Sequence, residues 1–207
     1  MATLQLGSDT LAGTATAGQV EYNGTIQTFT PLGTQRGVVP AEQFFSLNSG
    51  LAGANATGAQ SIFGVGVTLS ASTVYEFEMV VALSKLAGTT AHTIALSFGG
   101  TSTVNNIGYY VVGKFDSNFI VISPSDNQLS FIQTIASTAI TSSAGVASLA
   151  YVATIKGTVS INAGGTFIPQ YTLSAAPGGA YTTQAGSYIK IKPIGVSGAN
   201  VSVGTWA

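Results

Sequence analysis

The sequence predicts an all-β protein, an antiparallel jelly-roll-like β-sandwich with a short N-terminal hairpin or stem. Three observations lead there. About ten short segments alternate apolar and polar residues with a period of two, the mark of half-buried strands. Almost no segment carries an apolar stripe at the helical spacing of about 3.6 residues. Gly, Pro and Asn punctuate the segments at short intervals, as they do in sandwiches and barrels. No repeat of fixed period is present, which argues against a propeller or a β-helix. A fibrous shaft needs such a repeat, so any shaft is confined to the N-terminal stretch.

Composition narrows the class further. A chain of 207 residues suits one large β domain with an appendage. The division falls at residues 1–40 (arm and hairpin stem) and 41–207 (sandwich knob). Only 6% of residues are charged, against about 25% in a typical domain. Six Lys/Arg residues scattered along the chain supply no basic patch to displace counterions from phosphates, so nucleic acid is not an expected partner. The absence of cysteine excludes disulfide frameworks and thiol catalysis and argues against zinc. A hydrophobic fraction of 45% with abundant alternation argues against disorder. No apolar run reaches the roughly 18 residues of a membrane-spanning helix. The start, MATLQLGSDT, lacks the basic and apolar regions of a secretory signal.

In chain order, residues 1–17 hold Leu4, Leu6 and Leu11 among small polar residues with no sustained period. They read as an extended arm along a partner or as a flexible terminus. Residues 20–30 read as a hairpin, with Val20, Glu21 and Tyr22 as one arm and Asn23-Gly24 as a type I′ turn. Pro31, Gly33, Gly37 and Pro40 then make a rigid exit. Residues 41–47 form a helical turn or a strand entry, with Phe44, Phe45 and Leu47 pinning the stem to the body. Residues 48–60 read as a loop. Strands are expected at 63–69, 75–81, 94–98, 107–112, 118–122, 129–138, 150–161, 167–173, 187–194 and 200–206. The clearest is 75–81, with Tyr75, Phe77, Met79 and Val81 on one face and Glu76 and Glu78 on the other.

Few residues are candidates for chemistry. His92 is the only histidine and cannot build a multi-histidine zinc site; no GxSxG nucleophile turn accompanies it. It is expected to be a hydrogen-bonded strand-edge or interface residue. Glu76 and Glu78 share a face, as do Lys190 and Lys192 on the last long strand. Paired carboxylates can hydrolyse glycosides, but matched spacing on two strands favours cross-strand ion pairs. The four are expected to face one another or to face the same subunit boundary. Arg36, the only arginine, is expected to anchor Glu21, Glu42 or a neighbouring subunit, or to be a solvated turn residue. Trp206 is expected to close the sandwich or to sit in a subunit contact, since burying an indole is worth a few kcal/mol (about 2–3). Tyr109, Tyr110, Tyr171, Tyr181 and Tyr188 are candidates for a sugar-binding groove. The Asp/Asn clusters at 116–118 and 125–127 read as turn formers. No cofactor, metal or catalytic residue is expected.

The stretch AGQVEYNGTIQTFTPLGTQRGVVP, with the pattern AGxxEYxGTxxxFTPxGxxRGxVP, resembles short modules of tail-fibre and other virion-surface proteins of tailed bacteriophages. The segments GANATGAQSIFGVGVTLSASTVYEFE and GSYIKIKPIG…VSVGTWA resemble terminal knobs of phage structural proteins. That resemblance implies a non-enzymatic virion structural protein, made in a bacterial cytoplasm and carried on the head or tail. Within that class, the length, the lack of catalytic residues, the low-charge apolar composition and the extended leader favour a capsid decoration (cement) protein acting as a homotrimer on the major capsid protein. The other implied role is a short fibre or receptor-binding knob that recognises a host glycan.

Overall fold

A computed structural model describes residues 6–116 and 127–206, and every regular element in them is a strand. The strands are β1 Val20–Tyr22, β2 Gln27–Phe29, β3 Gly37–Val39, β4 Gln43–Ser46, β5 Leu51–Ala52, β6 Gln60–Ser61, β7 Val67–Leu69 and β8 Thr73–Lys85. They continue with β9 Ile94–Gly99, β10 Thr103–Asp116, β11 Asn127–Ile132, β12 Thr138–Ala139, β13 Leu149–Ala163, β14 Gly165–Leu173, β15 Thr182–Thr183 and β16 Tyr188–Val196. All pairings are antiparallel.

The strands form three sheets. β1, β2 and β3 make a small sheet of their own. The large sheet runs β11-β10-β13-β8, and beyond β8 it forks. Residues 73–80 of β8 pair with β16, which pairs with β4, while Leu83 and Ser84 pair with β15, which pairs with β5. The facing sheet runs β12-β9-β14-β6, with β7 also on β14. The chain passes from β8 to β9 to β10, and from β13 to β14 to β15, crossing between the two larger sheets each time. Alternation places Phe77, Met79, Val81 and Leu83 of β8 and Tyr151, Ala153 and Ile155 of β13 inside. Opposite them lie Ile94, Leu96 and Phe98 of β9 and Phe167, Tyr171 and Leu173 of β14. Phe98 and Phe167 stack at 4.7 Å, and Phe77 meets Phe98 edge-on at 5.6 Å. The result is an all-β antiparallel sandwich.

Several local expectations change. The Asn-Gly pair does not form a type I′ turn. The Asn23 amide donates to the Ile26 carbonyl, so the central residues are Gly24 and Thr25, and φ is positive (88°) only at Gly24. Positive φ at the first central residue alone is the II′ signature. The Asn23 side chain instead accepts from the amides of Thr25 and Ile26. The exit after Pro31 returns as β3 and completes the small sheet. The described part of the leader folds back on the small sheet: the Asp9 amide donates to Tyr22 O, the Gly18 amide to Thr30 O, and Ala15 is buried. Of the two readings for residues 41–47 the strand entry holds, as β4; the loop at 48–60 contains β5 and runs into β6 at Gln60.

The expected strand at 129–138 is broken. It ends at Ile132 in the large sheet, and the chain resumes as β12 in the other. Residues 200–206 are not a strand. After β16 the chain holds the ladder only through the Ser197 amide on Ser72 O, and Gly204 adopts φ +113. The expected strand at 118–122 lies outside the described residues, as do most of the two Asp/Asn clusters.

Candidate functional site on the outer face of the large sheet

Side chains on the solvent face of the large sheet line up in rows, because antiparallel register places residues directly opposite one another. One row crosses the six strands as Phe131, Tyr110, Lys156, Glu78, Lys190 and Phe44. The next reads Leu129, Val112, Thr154, Val80, Tyr188 and Ser46. The face therefore has two characters. Its β13–β8–β16 centre is charged, and its β11–β10 end is apolar and aromatic.

The charged centre brings together the four residues singled out by their spacing. Lys190 lies opposite Glu78, and Lys192 opposite Glu76. Lys192 Nζ is 3.2 Å from Glu76, and Lys190 Nζ is 3.5 Å from Glu78. Glu78's shorter contacts are ones that spacing did not single out: Lys156 Nζ at 2.8 Å and the Tyr188 hydroxyl, which donates at 2.9 Å. The Lys156 hydrogen bond, then that of Tyr188, hold the Glu78 carboxyl below its ordinary value. Reciprocally, Glu78 raises the pKa of Lys156 and of the Tyr188 hydroxyl. Both carboxylates of the candidate pair are thus tied up by ammonium groups. The signal that would have found Lys156 is its parity on β13, in register with Glu78.

The apolar end was not anticipated. Leu129 is 75% exposed and Phe131 68% exposed, with Val112, Tyr110 and Val152 exposed beside them. At the opposite end Phe44, 62% exposed, stacks on Tyr188 with ring centres 5.6 Å apart. Phe44 faces solvent instead of pinning the stem to the body. Phe45 points to the other side, edge-on to Phe63, in an apolar cleft of about 300 Å³ that also includes Val65 and Val67.

Other candidates are placed elsewhere. Arg36 finds Glu21: Nε lies 2.7 Å from one carboxylate oxygen, and its other nitrogen donates to Ala12 O. The Ala12 amide donates to the second Glu21 oxygen, and this bond, aided by Arg36, holds the Glu21 carboxyl below its ordinary value. The clamp ties the leader across the small sheet. Trp206 does not close the sandwich; it is 82% exposed, with its indole N–H donating to Val203 O. Val201 packs against Gly195, so the tail folds back on the end of β16.

The five tyrosines do not line one groove. Tyr109, Tyr171 and Tyr181 are core residues, and burial pushes the Tyr109 and Tyr171 hydroxyls up to about 12. His92 is buried, not at an open edge. Its Nδ1 faces Thr90 O at 2.7 Å, so Nδ1 carries the proton, and Nε2 meets the Tyr181 hydroxyl at 2.8 Å. Sequence reasoning missed Lys85 altogether. Its buried ammonium has the carbonyl oxygens of Ala87, Gly88, Val146 and Ala147 at 2.6–3.2 Å, four acceptors shared among three N–H donors. Burial lowers its pKa, while four acceptors favour the charged form. Among the described residues no group of three or more His, Cys, Asp or Glu is placed to hold a metal. No protein-family model, curated protein or solved structure matches the chain.

Proposed function

We propose that the protein is a virion-surface structural protein of a tailed bacteriophage, a homotrimeric decoration (cement) protein seated on the major capsid protein. The observation that carries this reading is the exposed apolar end of the large sheet, formed by Leu129, Phe131, Tyr110 and Val112. Such a surface is equipped to bury area against another protein. The resemblance of residues 17–40 and of the knob segments to phage structural proteins supplies the setting. Cement action needs no chemistry. A protein that binds only the assembled shell stabilises it by mass action. Titration onto expanded, undecorated heads of the encoding phage should give saturable binding and raise their disruption temperature. Absence of saturation would sink the reading.

A second reading, a fibre knob that binds a host glycan, is favoured by one feature. The Phe44–Tyr188 stack lies beside the Glu78 and Lys190 head groups, and aromatic faces flanked by polar groups suit sugar rings. Under that reading Tyr188→Ala abolishes binding to host cells, and imaged virions carry the protein on the tail.

A further inference from the structure

The forked large sheet ends in β11 on one side and in β4 and the two-residue β5 on the other. Among the described residues β11 pairs only with β10, and β4 only with β16. Exposed edge strands usually carry charges, prolines or bulges that prevent pairing with another chain. β11 reads Asn-Gln-Leu-Ser-Phe-Ile and β4 reads Gln-Phe-Phe-Ser, with no charge, no proline and no register shift. We propose that copies of this chain associate head to tail through these two ends. β11 of one copy adds to β4 of the next, closing a ring.

The sheet's own order makes the junction antiparallel. Along β11-β10-β13-β8-β16-β4 every neighbour pair is antiparallel, so the two end strands of this six-strand path run in opposite directions. A copy rotated about an axis along the strands therefore presents β11 antiparallel to β4. Phe131 and Phe44 belong to the same row, so an unstaggered junction sets one ring opposite the other as a cross-strand aromatic pair. Leu129 extends this contact on one side, and Phe45 and the cleft at Val65 extend it on the other.

Charge and area are compatible with self-association. Among the described residues the charges nearest the junction are Lys114, one strand inside β11 opposite Asn127, and Glu42, just before β4; they are of opposite sign, and Lys190 and Lys156 behind them are held on Glu78. No like charges meet at the junction, and the charged centre becomes its polar rim. At roughly 150–250 Å² per buried aromatic, the exposed parts of Phe44, Phe45, Leu129 and Phe131 supply on the order of 500 Å² per junction before the backbone edges are counted. Each junction alone stays below the ~1,200 Å² of a standard interface, so the association relies on closure: every copy in the ring is held at two junctions. The occupant is a second copy because the surface offers edge amides and carbonyls with apolar side chains. It has none of the charge arrays that select phosphate or nucleic acid.

The inference rests on the proposed function for the number of copies, and it leaves Tyr110 and Val112, one strand inside β11, as the part of the apolar end that meets the shell. Light scattering of the full chain is expected to give a trimer, with Phe131→Glu and Phe44→Glu each lowering the mass about threefold while keeping the wild-type melting transition. The cysteine-free sequence allows a second measurement. With a short bis-maleimide, the Phe44→Cys/Phe131→Cys double variant should cross-link to a covalent trimer, and each single variant should stay monomeric on a denaturing gel. Dimers from Phe131→Cys alone would mean a two-fold contact and overturn the head-to-tail ring. A monomeric wild type would overturn it as well. Binding to undecorated heads is a separate readout: a cross-linked ring that fails to bind heads removes the decoration reading and leaves this inference standing.

Discussion

Lys85 shows how much one side chain can hold at the end of a sandwich. It continues the inward parity of Phe77, Met79, Val81 and Leu83, so its ammonium emerges at the rim of the core and gathers the carbonyls of two loops. Replacing it with Met leaves those acceptors without their donor. Lys85→Met is expected to cost about 2–4 kcal/mol in denaturant unfolding, despite the better match in polarity. The small sheet offers the opposite case. The Thr28 hydroxyl is fully buried and has no hydrogen-bond partner among the described residues. Thr28→Val keeps the shape and removes that penalty, so amide exchange in β1–β3 should slow by an amount corresponding to about 1 kcal/mol. The parity of Lys85 is visible in the sequence, since it falls on the apolar face of the clearest strand. Its acceptors are not, because they are main-chain atoms of loops that meet only after folding. Arg36 could be narrowed to Glu21 or Glu42 from scarcity of charge, but the choice depended on the Ala12 amide, which folds back from the leader.

Long strands were legible and short ones were not. β8, β9, β13 and β14 each carry enough alternating residues to declare a face. β5, β6, β12 and β15 have two residues each and no period to read; they exist because a neighbouring edge was open. The C-terminal stretch failed the other way, since it alternates but has no edge to join. Within β13 the alternation of Ile155 and Val159 is interrupted by Gly157, which lies opposite Tyr109. A Cβ there would overlap the Gly108 carbonyl and the Tyr109 side chain. Gly157→Ala should therefore destabilise the fold by about 1–3 kcal/mol, measured as a lower denaturant midpoint with an unchanged slope.

For the molecule as a whole, stability should fall in acid. Glu21 and Glu78 both have pKa values below the ordinary 4.5 in the folded state. A carboxyl with a depressed folded pKa binds fewer protons folded than unfolded. Its contribution is complete above about 4.5 and is lost as pH falls through the folded value. Thermal melts should hold level from pH 7 to 5 and drop below that, and Glu78→Gln should flatten the drop. The sandwich and the meeting of Glu76 and Glu78 with Lys190 and Lys192 followed from periodicity and spacing. The apolar end of the sheet did not, because alternation tells which residues share a face but not which face lacks a cover. The same placement of cations decides how the protein meets trypsin. The chain offers only six Lys/Arg positions. Lys85 is buried, and Lys114, Lys156, Lys190 and Lys192 lie in hydrogen-bonded strands, the last followed by proline. Arg36 precedes a three-residue strand of the small sheet, and its guanidinium is held by Glu21 and the Ala12 carbonyl. The native protein should therefore resist trypsin while that clamp is closed, and Glu21→Gln should make Arg36–Gly37 the first bond cut, read as faster appearance of a single large fragment on a gel.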